Sequence, residues 1–148
     1  MFMKHIAAMT RYWQAYTHRS LMGIDLVCSE HAVIMYLAQQ DNVNQDAISG
    51  NLSLDKGTIA RTLAKLEEKN LVVREVNDLN RREKLVSLTP YGRAEVDIVM
   101  KVSDNWKTAV MQGLNSTEQD LFFNLLERIT RNARELAHPM AEREIHEN

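Results

Sequence analysis

Cysteine, proline and glycine are scarce in this chain of 148 residues, at one, two and five copies. A single cysteine, Cys28, excludes an internal disulfide framework and any cysteine-rich zinc module. So little proline and glycine excludes collagen-like repeats and Pro/Gly-rich disordered chain. Runs with strong strand character are few, which argues against an all-β fold. No apolar run reaches the roughly 18 residues of a transmembrane helix. The stretch Met1 to Arg19 carries polar residues every few positions and lacks the apolar core and cleavage site of a secretory leader. The expected compartment is therefore the cytosol. Catalytic signatures are also missing: no Gly-rich phosphate loop, no His-Glu-x-x-His pair and no nucleophile elbow. Acidic pairs such as Glu67-Glu68 fall on a solvated helix face. The sequence points to no enzyme and no cofactor.

Apolar residues make up 45 % of the chain, enough for a core, and charged residues 26 %. The formal net charge is −2, which by itself speaks against a polyanionic partner. Its distribution speaks for one. Between Asp55 and Arg93 stand nine basic residues (Lys56, Arg61, Lys65, Lys69, Arg74, Arg81, Arg82, Lys84, Arg93) against six acids, while the remainder is net acidic. A local basic surface on an acidic body suits a protein that meets DNA with one face.

Periodicity gives the elements. Lys4 to Leu21 reads as a helix, with Ile6, Met9, Trp13, Tyr16 and Ser20 forming one stripe. Gly23 breaks it. Ser29-Glu30 starts a second short helix reaching about Gln40, and Asp41-Asn42 is a turn. Asn44 is placed to cap a third helix, Gln45 to Asn51, and Asp55 a fourth, reaching about Lys69, with the apolar stripe Ile59, Leu63, Leu66. Leu71-Val72-Val73 opens a strand and Lys84 to Leu88 forms another, around a polar loop bearing Arg81 and Arg82. Thr89 and Pro90 suit the N-cap and first position of a long helix reaching about Gln112. Ser116 with Gln119 suggests a capping box for the last helix, striped by Phe122, Leu125, Leu126, Ile129, Ala133 and Leu136. The polar tail from Ala141 to Asn148 is expected to fray.

The fold class is therefore mainly α with a small β-hairpin wing. A winged helix-turn-helix lobe over residues 29–89 is flanked by long helices, 4–22 and 90–138, within a single domain of residues 1–148. The apolar stripes of those long helices are best buried by a second copy, giving a helical homodimer.

Three stretches resemble the MarR family of bacterial transcription regulators: Leu54-Asp55-Lys56-Gly57-Thr58-Ile59-Ala60-Arg61; Leu66-Glu67-Glu68-Lys69-Asn70-Leu71-Val72-Val73-Arg74; and Asn80-Arg81-Arg82 with Leu85-Val86-Ser87-Leu88-Thr89-Pro90-Tyr91-Gly92. The resemblance implies a two-fold dimer whose fourth helix enters the major groove while the wing reaches the minor groove or backbone. It also implies that many relatives are repressors released by a small, often aromatic molecule bound between the dimer helices and the DNA-binding lobe. Two positions depart from the family pattern: Asn80 stands where an aspartate is usual, and Asn70 where a glycine is usual. Asn80 is expected to leave the wing less rigid, because it offers a hydrogen bond in place of an ion pair. Asn70 still tolerates the left-handed conformation that ends a helix.

The residues give the same reading. Thr58, Arg61 and Lys65 lie opposite the apolar stripe of the fourth helix, with Thr62 at the edge. Arg61 suits a bidentate contact with guanine, and Thr58 and Thr62 a thymine methyl or a phosphate. Lys56 and Lys65 suit phosphates. Arg81 and Arg82, beside Asn80, suit a narrow minor groove. Asn44, Gln45 and Ser53 are candidate phosphate contacts at a helix N-terminus and a turn. The expected partner is a pseudo-palindromic double-stranded operator.

Tyr12, Trp13, Tyr16 and His18, with Met35, are candidate walls of a pocket for a small aromatic or anionic effector. Met9, Met22 and Met100 offer adaptable lining. Cys28 near His31 suggests a thiol sensor, and His5, His18, Cys28, Glu30 and His31 a metal sensor, although no metal site is expected and a small buried cysteine is the simpler reading. The rival function is a winged-helix protein-interaction module without DNA binding, which the net charge and Asn80 favour and Arg61, Arg81 and Arg82 oppose.

Overall fold

The computed structural model describes residues 1–21 and 24–139. The expectations at Met22, at Gly23 and along Ala141–Asn148 lie outside those residues. The element order is α1 (Phe2–Ser20), α2 (Cys28–Gln39), β1 (Val43–Asn44), α3 (Gln45–Leu52), α4 (Lys56–Glu68), β2 (Val72–Asn77), β3 (Asn80–Leu88), α5 (Pro90–Val110) and α6 (Ser116–Ala137). This is the mainly helical, winged architecture that the periodicities predict. The chain divides into two compact units, residues 1–107 and the residues from Thr108 onward.

In the first unit, α2, α3 and α4 wrap one apolar core. Leu26, Val33, Leu37, Ile48, Ile59, Leu63, Leu66 and Val86 are all fully buried in it. The stripe of α4 is buried because its spacing of three and four keeps Ile59, Leu63 and Leu66 on one side. Local chemistry sets the helix ends. The Asn44 side chain accepts a bond from Ala47 N–H and starts α3; Asp55 accepts one from Thr58 N–H and starts α4. Asn70 takes φ +57° and closes α4 as expected. Ser53 takes φ +54° in the turn between α3 and α4.

The sheet has three antiparallel strands in the order β1-β3-β2. β2 pairs with β3 from Val72↔Leu88 to Asn77↔Asn80. The short strand β1 pairs Val43 with Val86 and Asn44 with Leu85. Two residues show no period, so this third strand is absent from the sequence reading. The wing also differs from the expected polar loop. β3 begins at Asn80, so Arg81 and Arg82 are strand residues beside a tight turn at Asp78-Leu79. Pairing with β2 carries the strand outward past its apolar part, with a register shift between Val76 and Asn77.

Pro90 opens α5, with Thr89 Oγ1 accepting from Gly92 N–H at 2.8 Å and donating to Asn70 O. In the second unit, the cap of α6 is Asn115, one residue earlier than expected. Its side chain accepts from Glu118 N–H while Glu118 Oε2 accepts from Asn115 N–H, a reciprocal box in place of the Ser116/Gln119 pair. No residue of α6 is buried. Leu121, Phe122, Phe123, Leu125, Leu126 and Ile129 are each 41 % to 57 % exposed.

One glycine is fixed by close approach. A Cβ on Gly92 would stand 2.0 Å from the backbone oxygen of Leu71, which closes the lobe against the start of α5. Gly92→Ala is expected to destabilise the protein by about 3 kcal/mol through this backbone clash, measured by urea unfolding. An unchanged midpoint would contradict the close approach.

Candidate nucleic-acid interface

The first turns of α4 hold the side chains expected to read DNA. Thr58 Oγ1 donates to Asp55 Oδ2 at 2.5 Å and accepts from Arg61 Nη2 at 3.3 Å. Hydrogen bonds from the Thr58 hydroxyl and N–H, with the Arg61 charge nearby, hold the Asp55 carboxyl below the usual aspartate range. Arg61 and Lys65 are exposed and Thr58 is half-buried. Lys56 is exposed and pairs with Asp46 at 3.4 Å. Thr58, Arg61 and Lys65 share an open face opposite the buried stripe, and Lys56 is exposed at the first position of the helix.

Thr62 does not join them. It is 4 % exposed, and its hydroxyl donates to Ser29 Oγ at 3.3 Å on α2. Its place at the edge of the helix face turns it into the lobe, because α2 packs there. The expected base or phosphate contact at Thr62 is therefore withdrawn.

Asn44 is also corrected. Its Oδ1 caps α3 and its Nδ2 donates to Glu83 Oε1 at 2.5 Å, so both ends of the amide are engaged. Gln45 is partly engaged: its Oε1 accepts from Arg74 Nη1 at 3.3 Å. Arg74 Nη2 in turn meets Glu67 Oε2 at 2.6 Å, tying β2 to α4. The bond from Arg74 keeps the Glu67 carboxyl below its ordinary range, and Glu67 raises Arg74.

At the wing, Asn77 Oδ1 accepts from Leu79 N–H at 3.0 Å and Asn80 Oδ1 from Arg82 N–H at 3.3 Å. Asn80 thus grips the backbone of Arg82. Arg81 and Arg82 are both exposed, in the part of the hairpin where the register shifts. Arg82 lines an open groove of about 480 Å³ with Asn44, Gln45, Asp46, Asn80, Glu83 and Lys84, between the start of α3 and the wing. Sequence reasoning overlooked Glu83, since an acid in a basic stretch gives no signal of its own.

A second cavity, of about 270 Å³, is lined by Met9, Thr10, Trp13, Cys28, His31, Ser103 and Trp106. Of the expected pocket walls Trp13 lines it, with Met9 from the expected adaptable lining. Tyr16 meets Trp106 at 5.1 Å with the rings tilted, and Trp13 meets Trp106 at 5.7 Å and His31 at 5.1 Å, both edge-on. Tyr12 is exposed beside Arg11, His18 pairs with Asp25, and Met35 packs on the core. Trp13 Nε1 and His31 Nε2 are buried without a hydrogen-bond partner among the described residues. Burial pushes the His31 imidazole down, favouring its neutral form. Cys28 is exposed rather than buried, yet desolvation raises its thiol, opposite to what a sensor thiolate needs. Among the described residues no three His, Cys, Asp or Glu side chains gather to hold a metal. No described helix is long and apolar enough to cross a membrane.

The Glu67–Arg74 pair makes a pH prediction. Because the folded-state Glu67 carboxyl lies low, its contribution is present above the unfolded glutamate value of about 4.3 and is lost as pH falls through the folded one. Glu67→Gln is expected to cost about 1 kcal/mol or less at pH 7, with the gap to wild type narrowing in urea titrations as pH falls below the unfolded glutamate value. A gap independent of pH would show that the pair contributes no charge-dependent stability.

Comparison with known proteins follows the same lines. Residues 28–84 match the MarR family. The transcriptional regulator HosA of Escherichia coli O127:H6 is 28 % identical over 105 residues, covering 71 % of this chain and 78 % of HosA. The crystal structure of a MarR transcriptional regulator from Methanosarcina mazei Go1 superposes with a TM-score of 0.72 at 26 % identity, covering 91 % of this chain and 97 % of that one. The S. aureus MepR–DNA complex shares the fold at a TM-score of 0.75 and 22 % identity, over 89 % of this chain and 94 % of that one. The MarR family match spans the helix-turn-helix and most of the wing, and the chain is similar in sequence to the transcriptional regulator HosA and in fold to MarR-type regulators.

Proposed function

We propose that this regulator is a homodimeric repressor that binds a pseudo-palindromic double-stranded operator and is released by a small ligand. The observation that carries the DNA reading is the open face of α4. Arg61 and Lys65 stand exposed opposite the buried side of the helix and Lys56 is exposed at its start, with exposed Arg81 and Arg82 on the hairpin that follows. Arg61 reaches a guanine edge on releasing Thr58; Lys56 and Lys65 reach phosphates; Arg82 or Arg81 enters the minor groove. Gln45 and Ser53 remain candidate backbone contacts. MepR is solved bound to DNA on the same fold.

The exposed apolar side of α6, and the exposed Phe2, Met3, Ile6 and Met9 of α1, support a second copy of the chain as partner. A two-fold dimer then presents two recognition helices to half-sites about one helical turn apart.

The cavity at Trp13, His31 and Trp106 supports an effector. Its lining holds no lysine or arginine and a histidine that burial keeps neutral, which favours a flat aromatic molecule over an anion. The first turn of α2 belongs to both sites: Cys28 and His31 line the cavity, while Ser29 touches Thr62 and Glu30 pairs with Lys69 at 2.7 Å, both on or capping α4. A ligand that prefers a different setting of this turn shifts the population of α4 positions away from DNA binding.

Arg61→Ala is expected to cost about 1–3 kcal/mol on the cognate operator and to relax preference at one base pair per half-site. Competition binding against single-base operator variants measures it. Full retention of sequence preference would remove Arg61 from base reading.

A further inference from the structure

We propose that Glu83 is a positioning residue that sets the wing for DNA, although its own charge opposes DNA; the proposal rests on the DNA-binding reading above. The backbone ties the wing to the rest of the lobe only at its base. β1 ends at Asn44, whose partner on β3 is Leu85. From Lys84 outward, β3 pairs with β2 alone. Glu83 lies just beyond that last tie and bridges it with its side chain. Its Oε1 accepts from Asn44 Nδ2 at 2.5 Å and its Oε2 from Asn77 Nδ2 at 2.7 Å. One carboxylate thus fastens the outer hairpin to the cap of α3.

The orientation of both amides is fixed independently. Asn44 Oδ1 is taken by Ala47 N–H and Asn77 Oδ1 by Leu79 N–H, so each Nδ2 has to be the donor toward Glu83. Two donors facing one side chain need an acceptor with two oxygens and no hydrogen, which is a carboxylate. The bond to Asn77 also holds the residue that shapes the Asp78-Leu79 turn. Between the Val76↔Lys84 and Asn77↔Asn80 pairs the register shifts, so Arg81, Arg82 and Glu83 stand opposite a single step of β2. The backbone ladder holds this irregular stretch least, and the Glu83 side chain supplies the fastening that places an arginine for a narrow groove. Arg82, next to Glu83, lies in that stretch.

The sign of one substitution separates positioning from plain electrostatics. Removing a negative charge from a DNA-facing groove strengthens binding if charge is all that matters. Glu83→Gln is isosteric but offers one oxygen and one N–H₂, so one asparagine amide then faces a second donor. Asn44→Asp keeps a good helix cap and sets a carboxylate against a carboxylate. The double variant Asn44→Asp, Glu83→Gln has the wild-type net charge and restores both bonds, with the introduced glutamine donating to the introduced aspartate and accepting from Asn77.

Operator affinity is measured for the four proteins, with footprinting of both grooves. Each single variant is expected to bind roughly tenfold more weakly, as the loss of a charge-assisted bond implies, and the double variant to return close to wild type. In the singles, protection is expected to fall in the minor groove at the wing while major-groove contacts persist. Binding that tightens or holds steady in Glu83→Gln, or a double variant no better than Asn44→Asp, would overturn the proposal. Hydrogen exchange of the free proteins keeps the test independent of the operator: amides of residues 76–84 are expected to exchange faster in each single and to recover in the double. Wild type that selects no DNA would sink the DNA-binding reading, whereas unchanged exchange in the singles would sink the role of Glu83.

Discussion

The burial of Ile59, Leu63 and Leu66 holds still the side of α4 that lies away from its open face, a condition any helix must meet to read bases. All three are fully enclosed by α2, α3 and the sheet. Interiors this close-packed do not deform continuously, so α4 moves only with the lobe or by repacking it. Its exposed face therefore has a defined direction, and the spacing of three and four residues that buries the stripe also aligns Arg61 and Lys65 opposite. The rest of the lobe adds ties at the ends of this helix. Asp55 closes its start. Lys69, just past its end, meets buried Glu30 and the Asp25 carbonyl. Glu67 joins it to the wing through Arg74.

These ties show how an acidic chain presents a basic surface. Three acids within the basic stretch are turned to internal bonds: Asp55 to Thr58, Glu83 to two asparagines, and Glu67 to the opposite charge of Arg74. The basic residues left outward are Lys56, Arg61, Lys65, Arg81, Arg82 and Lys84, against the exposed acids Glu68, Glu75 and Asp78, and the acid that Lys56 meets, Asp46, is itself exposed. Net charge over the whole chain is a poor guide to such a face, because it counts neutralised and displayed groups alike.

Features governed by neighbours in sequence were legible before the structure. The stripe of α4, the caps at Asn44, Asp55 and Thr89, and the left-handed Asn70 each depend on a few adjacent residues and stand where the pattern puts them. Features governed by distant neighbours were not. Thr62 lies at the margin of the helical face, and only the arrival of Ser29, far away in sequence, decides that it is buried. The second bond of Asn44 comes from Glu83, equally distant along the chain, so a residue read as a phosphate contact proved to be a tie. The two-residue strand β1 is too short to carry a period. The aromatic signal of α1 was real, but its partners Trp106 and His31 come from α5 and α2, so the pocket lies around Trp13 rather than around Tyr12 and His18.

The central claim is that the α4 face and the wing read sequence together. The most direct test is selection of genomic fragments by the purified wild-type protein beside an Arg61→Ala, Arg82→Ala double variant, at about 150 mM salt to suppress nonspecific phosphate binding. The expected result is enrichment of one inverted repeat by the wild type and none by the variant. Equal enrichment by both proteins, or none by a folded wild-type dimer, would contradict it.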